Sequence, residues 1–219
     1  MSIPGEQDSE LVKTSQVAVV VAHPDDETLW AGGLLLNHPE WSPFIVTLCR
    51  GQDPDRAPKF LRALDRLGAK GAMGELDDGP DQVPLPATMV QDAILSLLSG
   101  RDYDILLTHG PDGEYTRHRR HEEASRAVQA LWRDGNLRAR SLWQFAYEDA
   151  GGTYFPRPRK DAGLYLPLSE AVWTRKYAIL TEVYGFGEAS WEAQAAPRTE
   201  AFHCFSEQEL IDQIGMGGY

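Results

Sequence analysis

An imidazole and three carboxylates stand together in His23-Pro24-Asp25-Asp26-Glu27, directly behind the apolar run Val17-Ala18-Val19-Val20-Val21. Imidazole nitrogen and carboxylate oxygen are donors that a divalent metal takes, and a carboxylate beside such a site can accept the proton of an activated water. His23 and Asp26 are three apart, so one helical turn places both on one face as two ligands. Asp25 then stands free for proton transfer, Pro24 stiffens the turn, and Glu27 is a candidate for orienting a ligand or capping the backbone. The plainer reading of the acidic run is a helix N-terminus, where the helix dipole favours carboxylates. The adjoining histidine and the strand before it favour the site.

A second cluster, His118-Arg119-Arg120-His121-Glu122-Glu123, follows the Gly-rich loop 108–115 at the end of another apolar strand. Alone, His-x-x-His is more often an exposed helix face than a ligand pair. Beside the first cluster, His121 can complete a His-Asp-His set, and His118, on the same helix face, can act as an oxyanion donor. Asp78, in a turn, is a candidate to touch a substrate hydroxyl. Arg50, past the second strand, is a candidate for an anionic substrate group. Arg117, Arg119 and Arg120 form a local basic patch with at most one member pointing into the site. His38 and His203 read as structural, and His109, without ligand-like spacing, as support. No Gly-x-Ser-x-Gly elbow and no Gly-rich phosphate loop occur, which leaves serine-hydrolase and nucleotide chemistry without support.

Placing these residues requires strands that end at one edge. Apolar runs predict strands at 16–22, 43–49, 69–75, 103–107, 142–147 and 164–168. Helical periodicity predicts helices at 28–36, 57–67, 86–98, about 119–132 and 170–183. Phe60, Leu61, Leu64 and Leu67 mark the inner face of one helix, and Met89, Ile94, Leu97 and Leu98 that of another. Gly68 fits a C-cap, and Gly32 and Gly33 allow close approach to the sheet. The alternation predicts an α/β fold: a Rossmann-like, doubly wound, mostly parallel sheet with helices on both faces. The chain divides into a flexible tail at 1–15 and one domain at 16–219, with 151–160 as a surface loop.

A net charge of −12 over 219 residues argues against a nucleic-acid partner. No apolar run is long enough to span a membrane, and the N-terminus lacks a signal-peptide pattern. Cys49 and Cys204 read as two buried thiols in a reducing compartment, which places the chain in the cytoplasm. The apolar and aromatic stretch 173–205 is surface that a homo-oligomer could use.

With both clusters present, the chain resembles the PIG-L/LmbE-like family of metal-dependent de-N-acetylases. The resemblance is carried by Ala22-His23-Pro24-Asp25-Asp26-Glu27 and Gly113-Glu114-Tyr115-x-x-His118-x-x-His121, with weaker support from Leu67-Gly68 and Asp78-Gly79. It covers about residues 16–130; later only a helix containing Lys176 and Glu200-x-Phe202 agree. It implies one metal, usually zinc with iron(II) as the alternative, held by His23, Asp26 and His121. It also implies Asp25 as general base, His118 polarising the carbonyl, and a small N-acetylglucosamine-type substrate. Two departures stand out. Many members carry Pro-Asp between the histidines, whereas this chain has Arg119-Arg120, so His118 needs another carboxylate, for which Asp112 and Glu122 are candidates. An Arg-x-x-Glu is replaced by Arg56-Ala57-Pro58-Lys59. The alternatives are an amidase acting on a larger N-acyl or thiol-conjugate substrate, and a non-catalytic metal-containing sugar-binding module marked by Arg120.

Overall fold

The computed structural model describes residues 14–98, 102–115 and 118–207. Arg117 and residues 1–13 of the expected tail lie outside the described residues. Five parallel strands run in the order β3-β2-β1-β4-β5: β1 Gln16–Val21, β2 Ser42–Cys49, β3 Lys70–Leu76, β4 Asp102–Thr108 and β5 Arg138–Phe145. The helices α1 Asp26–Asn37, α2 Arg56–Leu67, α3 Ala87–Leu98 and α4 Arg119–Arg133 connect them. Val17, Val19 and Val21 of β1 pack in one core with Leu34 of α1 and Phe60 of α2. Ala18 and Val20 pack in the other with Ile94 of α3 and Val128 of α4. Burial on both faces explains why β1 is an unbroken apolar run. The winding reverses between β1 and β4, and the crevice outside their C-terminal ends is where such sheets bind ligands.

Past β5 come a two-stranded ribbon of β6 Tyr147–Glu148 and β7 Arg157–Pro158, then β8 Leu164–Pro167 and α5 Glu170–Ala178. The short helix α6 Trp191–Ala195 precedes β9 Thr199–Ser206. β9 inserts antiparallel between β5 and β8, an element that the sequence reading does not contain. Its buried centre holds the charged Glu200 beside Ala201 and Phe202, which breaks the alternation of a half-buried strand. β5 begins at Arg138 rather than 142, because its polar first half is held to β4 by Arg138–Asp102 and Arg140–Asp104 pairs. The helix expected at 170–183 ends at Ala178 and continues as a π-helical turn, Ile179–Val183, closed by Tyr184 N–H to Ile179 O at 3.0 Å. Leu61 and Met89 are exposed and Leu97 half-buried; the inner faces are Phe60, Ala63, Leu64 and Leu67 in α2, and Val90, Ile94 and Leu98 in α3. Gly68 is the left-handed C-cap expected of it, at φ 66°. Cys49 is buried, but Cys204 is exposed, because it lies on the outer half of β9.

The C-terminal elements lock onto α1. Glu200 accepts the N–H groups of Gly33 and Leu34 at 2.7 and 2.6 Å and pairs with Lys176 Nζ at 2.7 Å, and both side chains are fully buried. A Cβ on Gly33 would lie 2.9 Å from Glu200 Oε1, so the helix glycine admits this carboxylate. Every residue of α1 from Asp26 to Leu36 is buried, which fixes the turn that carries the first cluster.

Candidate active site

The turn after β1 and the start of α4 bring three donor atoms into a near-equilateral triangle. His23 Nδ1 lies 3.2 Å from Asp26 Oδ2, His121 Nε2 lies 3.3 Å from the same oxygen, and the two nitrogens are 3.3 Å apart. Ligands about 2.0–2.1 Å from a tetrahedral metal are separated by about 3.3 Å, so the triangle has the edge length of such a site. The other nitrogen of each imidazole meets a carboxylate. His23 Nε2 lies 3.1 Å from Asp78 Oδ1, and His121 Nδ1 lies 2.6 Å from Glu114 Oε2. Carboxylates in that position fix the tautomer and aim the opposite lone pair.

Other groupings of donors are nearby. His118 brings a ring nitrogen within 4.8 Å of those of His23 and His121, and His109 does so for Asp26 and His121. The His109 lone pair is committed: its Nε2 accepts the Ala22 N–H at 2.9 Å, which leaves the Nδ1 proton for Glu114 at 2.9 Å. Burial and the neighbouring His121 hold its pKa low, consistent with a neutral ring. Cys49, near His23 and Asp78, is pushed up to about 12 by burial and is a poor thiolate. Burial opposes charge at Asp26, but the imidazolium and hydrogen bond of His121 outweigh it and hold Asp26 well below the usual range. In the same way, the imidazoles of His109 and His121 overcome burial to hold Glu114 at about 2. Burial would lower His121, yet Asp26 and Glu114 raise it to about 10.

Asp25 occupies the N-cap position of α1 but makes no side-chain cap, so the plain helix-start reading fails. Its φ is 117°, a conformation that costs a non-glycine residue about 1–3 kcal/mol and clusters at functional sites. Glu27 Oε2 accepts the Asp25 N–H at 3.0 Å and holds this strained turn. The other oxygen of Glu27 accepts from Thr28 Oγ1 and from Tyr184, whose hydroxyl the π-helical turn delivers. Burial, with the charge of Asp26, raises the Asp25 carboxyl well above its usual range, against the pull of Arg56. Arg56 Nη1 donates to Asp25 Oδ2 at 2.9 Å, and its guanidinium lies 4.9 Å from the Phe186 ring centroid.

His118 is the extended N-cap of α4 rather than a helical residue, although its ring still stacks on that of His121 at 4.5 Å. Neither expected carboxylate reaches it. Asp112 is exposed and lies 3.9 Å from Arg159, and Glu122 accepts from Arg126 at 3.3 Å. His118 Nδ1 is buried with no hydrogen-bond partner among the described residues, and burial brings its pKa down to about 3. Arg120 points away from the cavity, since its buried guanidinium binds Glu123, Asp77 and Val83 O. Arg119 is exposed. Arg50 Nε donates to Asp78 Oδ2 at 2.9 Å, so Asp78 links Arg50 to His23. His38 stacks on Trp41 and His203 lies 3.9 Å from Asp161, both away from the cavity.

The cavity of about 170 Å³ over the triangle is lined by His23, Asp25, Asp26, Arg50, Arg56, Asp78, Tyr115, His118, Trp191 and Glu192, among others. Sequence reasoning assigns no site role to Arg56, Tyr115, Trp191, Glu192 or Tyr184, which arrive from distant segments. Glu114 was within reach of it, being a carboxylate inside the second motif.

No protein-family model matches the chain, and no curated protein matches it in sequence. Solved structures do share its fold. N,N'-diacetylchitobiose deacetylase from Pyrococcus horikoshii, complexed with its inhibitor MPG, superposes with a TM-score of 0.65 at 14% identity, over 89% of this chain and 85% of that one. The zinc-inhibited form of teicoplanin deacetylase Orf2 gives 0.61 at 15%, over 87% and 96%. The 4-carboxy-2-hydroxymuconate hydratase GalB from Pseudomonas putida KT2440 gives 0.58 at 17%, over 89% and 96%. The Rossmann-like fold implied by the resemblance is the fold observed. That fold hosts more than one reaction, so the site must argue the function.

Proposed function

We propose that this chain is a metal-dependent hydrolase that removes an N-acetyl group from an N-acetylglucosamine-type amino sugar. The observation that carries it is the His23–Asp26–His121 triangle, with Asp78 and Glu114 behind its imidazoles. This donor set fits one divalent metal, zinc or iron(II), held by His23, Asp26 and His121. When bound, such an ion lowers the pKa of water and polarises a carbonyl.

The chain's own groups supply the rest. Asp25 opens into the cavity with its oxygen held by Arg56, and as general base it takes the proton of the attacking water. Its backbone strain and the Glu27 brace hold it in place for this step. His118 offers its unpartnered ring nitrogen to the substrate carbonyl, and a neutral ring near pH 7 suits a hydrogen-bond donor to a developing oxyanion. The proton held by Asp25 then passes to the leaving amine. Asp78 and Arg50 are candidates for sugar contact, but their first task is to hold His23.

Hydration of a dicarboxylate, the alternative raised by the GalB fold, fits this cavity poorly. Its lining carries four carboxylates, Asp25, Asp26, Asp78 and Glu192, and the two arginines are already paired with Asp78 and Asp25. A field of that sign repels an anionic substrate. We place the protein in the cytoplasm as one catalytic domain over residues 16–219. The placement is supported by the lack of a disulfide between Cys49 and Cys204. No helix among the described residues is long and apolar enough to cross a membrane.

The test is acetate release from a panel of N-acetylated sugars, with metal content measured on the same sample. Metal-dependent acetate release is the expected result. Metal-free protein, or turnover that survives chelation, overturns the proposal.

A further inference from the structure

The cavity over the metal-ligand triangle continues past Tyr115 and Trp191, which line it on one side and a larger cleft on the other. The second cleft measures about 550 Å³ and is walled by Tyr154, Phe155, Pro156 and Trp191, with Asp149 and Arg157 among its lining. None of its own residues takes part in the chemistry above. Phe155 and Trp191 are 42% and 38% exposed, so two large aromatic rings face water at its mouth. The Tyr154 ring is held in place by the Arg157 guanidinium 4.4 Å from its centroid and by its hydroxyl donating to Glu148. Positive φ at Ala150, Gly151 and Gly152 folds this loop back toward the site.

We propose that this aromatic cleft is a subsite for a second ring linked to the N-acetylated sugar, a specificity determinant that rests on the amino-sugar reading above. Size supports it. The inner cavity falls below the ~300–1,000 Å³ usual for small-molecule sites, and the cleft falls within that range. Continuity supports it too, because Tyr115 and Trp191 belong to both spaces, so one molecule can occupy both. The wall chemistry identifies the occupant. Aromatic faces with ionic groups at the rim suit a flat ring, sugar or aryl, stacked on Phe155 and Trp191. An aliphatic chain calls for enclosed aliphatic walls, which this cleft lacks.

The experiment compares N-acetylglucosamine, its phenyl β-glycoside and its β-1,4-linked disaccharide as substrates, and their deacetylated products as ligands by calorimetry. The native protein is expected to prefer both ring-bearing compounds at least tenfold, in kcat/KM and in Kd. Phe155→Ala and Tyr154→Ala are each expected to cut that preference at least fivefold and leave the monosaccharide unchanged. A preference for only one of the two compounds identifies the ring as sugar or aryl and supports the subsite. Equal values for all three, a preference that survives both substitutions, or no binding at all overturns the subsite. Ring-selective, Phe155-dependent binding without acetate release keeps the subsite and overturns the deacetylase reading. Acetate release without ring preference does the reverse.

Discussion

Arg120 grips Asp77 twice, donating from Nε to its backbone carbonyl and from Nη2 to its carboxylate, while Nη1 pairs with Glu123 at 2.6 Å. The neighbouring Asp78 bonds His23, so a residue that in sequence looks like a damaged motif is a buttress of the site. The carboxylate contact contributes little, since Asp77 is solvent-exposed. The buried bonds to Glu123 and to the Asp77 and Val83 carbonyls carry the role.

Arg120→Met leaves Glu123 and two carbonyls without their cation. Removing one partner of a buried pair costs about 3–5 kcal/mol. Urea denaturation should show a loss of that size, and kcat/KM should fall as the Asp78 loop loosens. Arg120→Lys keeps the charge but not the planar fork and should fall between the two. A stable, fully active Arg120→Met protein would show that the buttress is idle.

Asp25→Asn should retain the metal and the fold and lose turnover by about 10²–10⁴-fold, the usual contribution of a positioned acid–base group. The backbone strain has a separate readout. At φ 117° glycine should be more stable than alanine by about 1 kcal/mol, the reverse of their usual order. Thermal unfolding of Asp25→Gly and Asp25→Ala checks this; alanine as the more stable variant would remove the strain argument.

Glu114 accepts from both His109 and His121, so Glu114→Gln should weaken metal binding by about 10–100-fold, the usual effect of losing a carboxylate behind a ligand histidine. Competition with a chromogenic chelator measures it. Full chelation of the native protein should abolish activity and lower Tm, since a ligand bound only to the native state stabilises it. Native metal affinity in Glu114→Gln would exclude His121 as a ligand oriented by this carboxylate.

Glu200→Ala strands the buried Lys176 ammonium and two amides of α1, and about 3–5 kcal/mol should be lost. Adding Lys176→Met, which removes the orphaned charge, should recover part of it. Chemical denaturation of the single and double variants decides; if the second substitution adds a further full loss, the two residues act independently.

The sequence by itself determined the winding of β1 to β4 and the first cluster. A strand buried on both faces has to be apolar throughout, and helices between such strands force parallel pairing. The acidic turn behind β1 was legible because His23, Asp26 and Asp25 are contiguous in the chain. β9 stayed hidden because Glu200 sits in its core, tolerable only beside Lys176 and the bare backbone at Gly33. His109 and Arg120 were misjudged for the same reason: their partners, Glu114 with Ala22, and Asp77 with Val83, are chosen by packing and not by spacing. Only the tertiary structure decided which nitrogen of each histidine faces the triangle. A ring's tautomer is set by what lies on its other side, and for His23 that is Asp78, brought in from the end of β3.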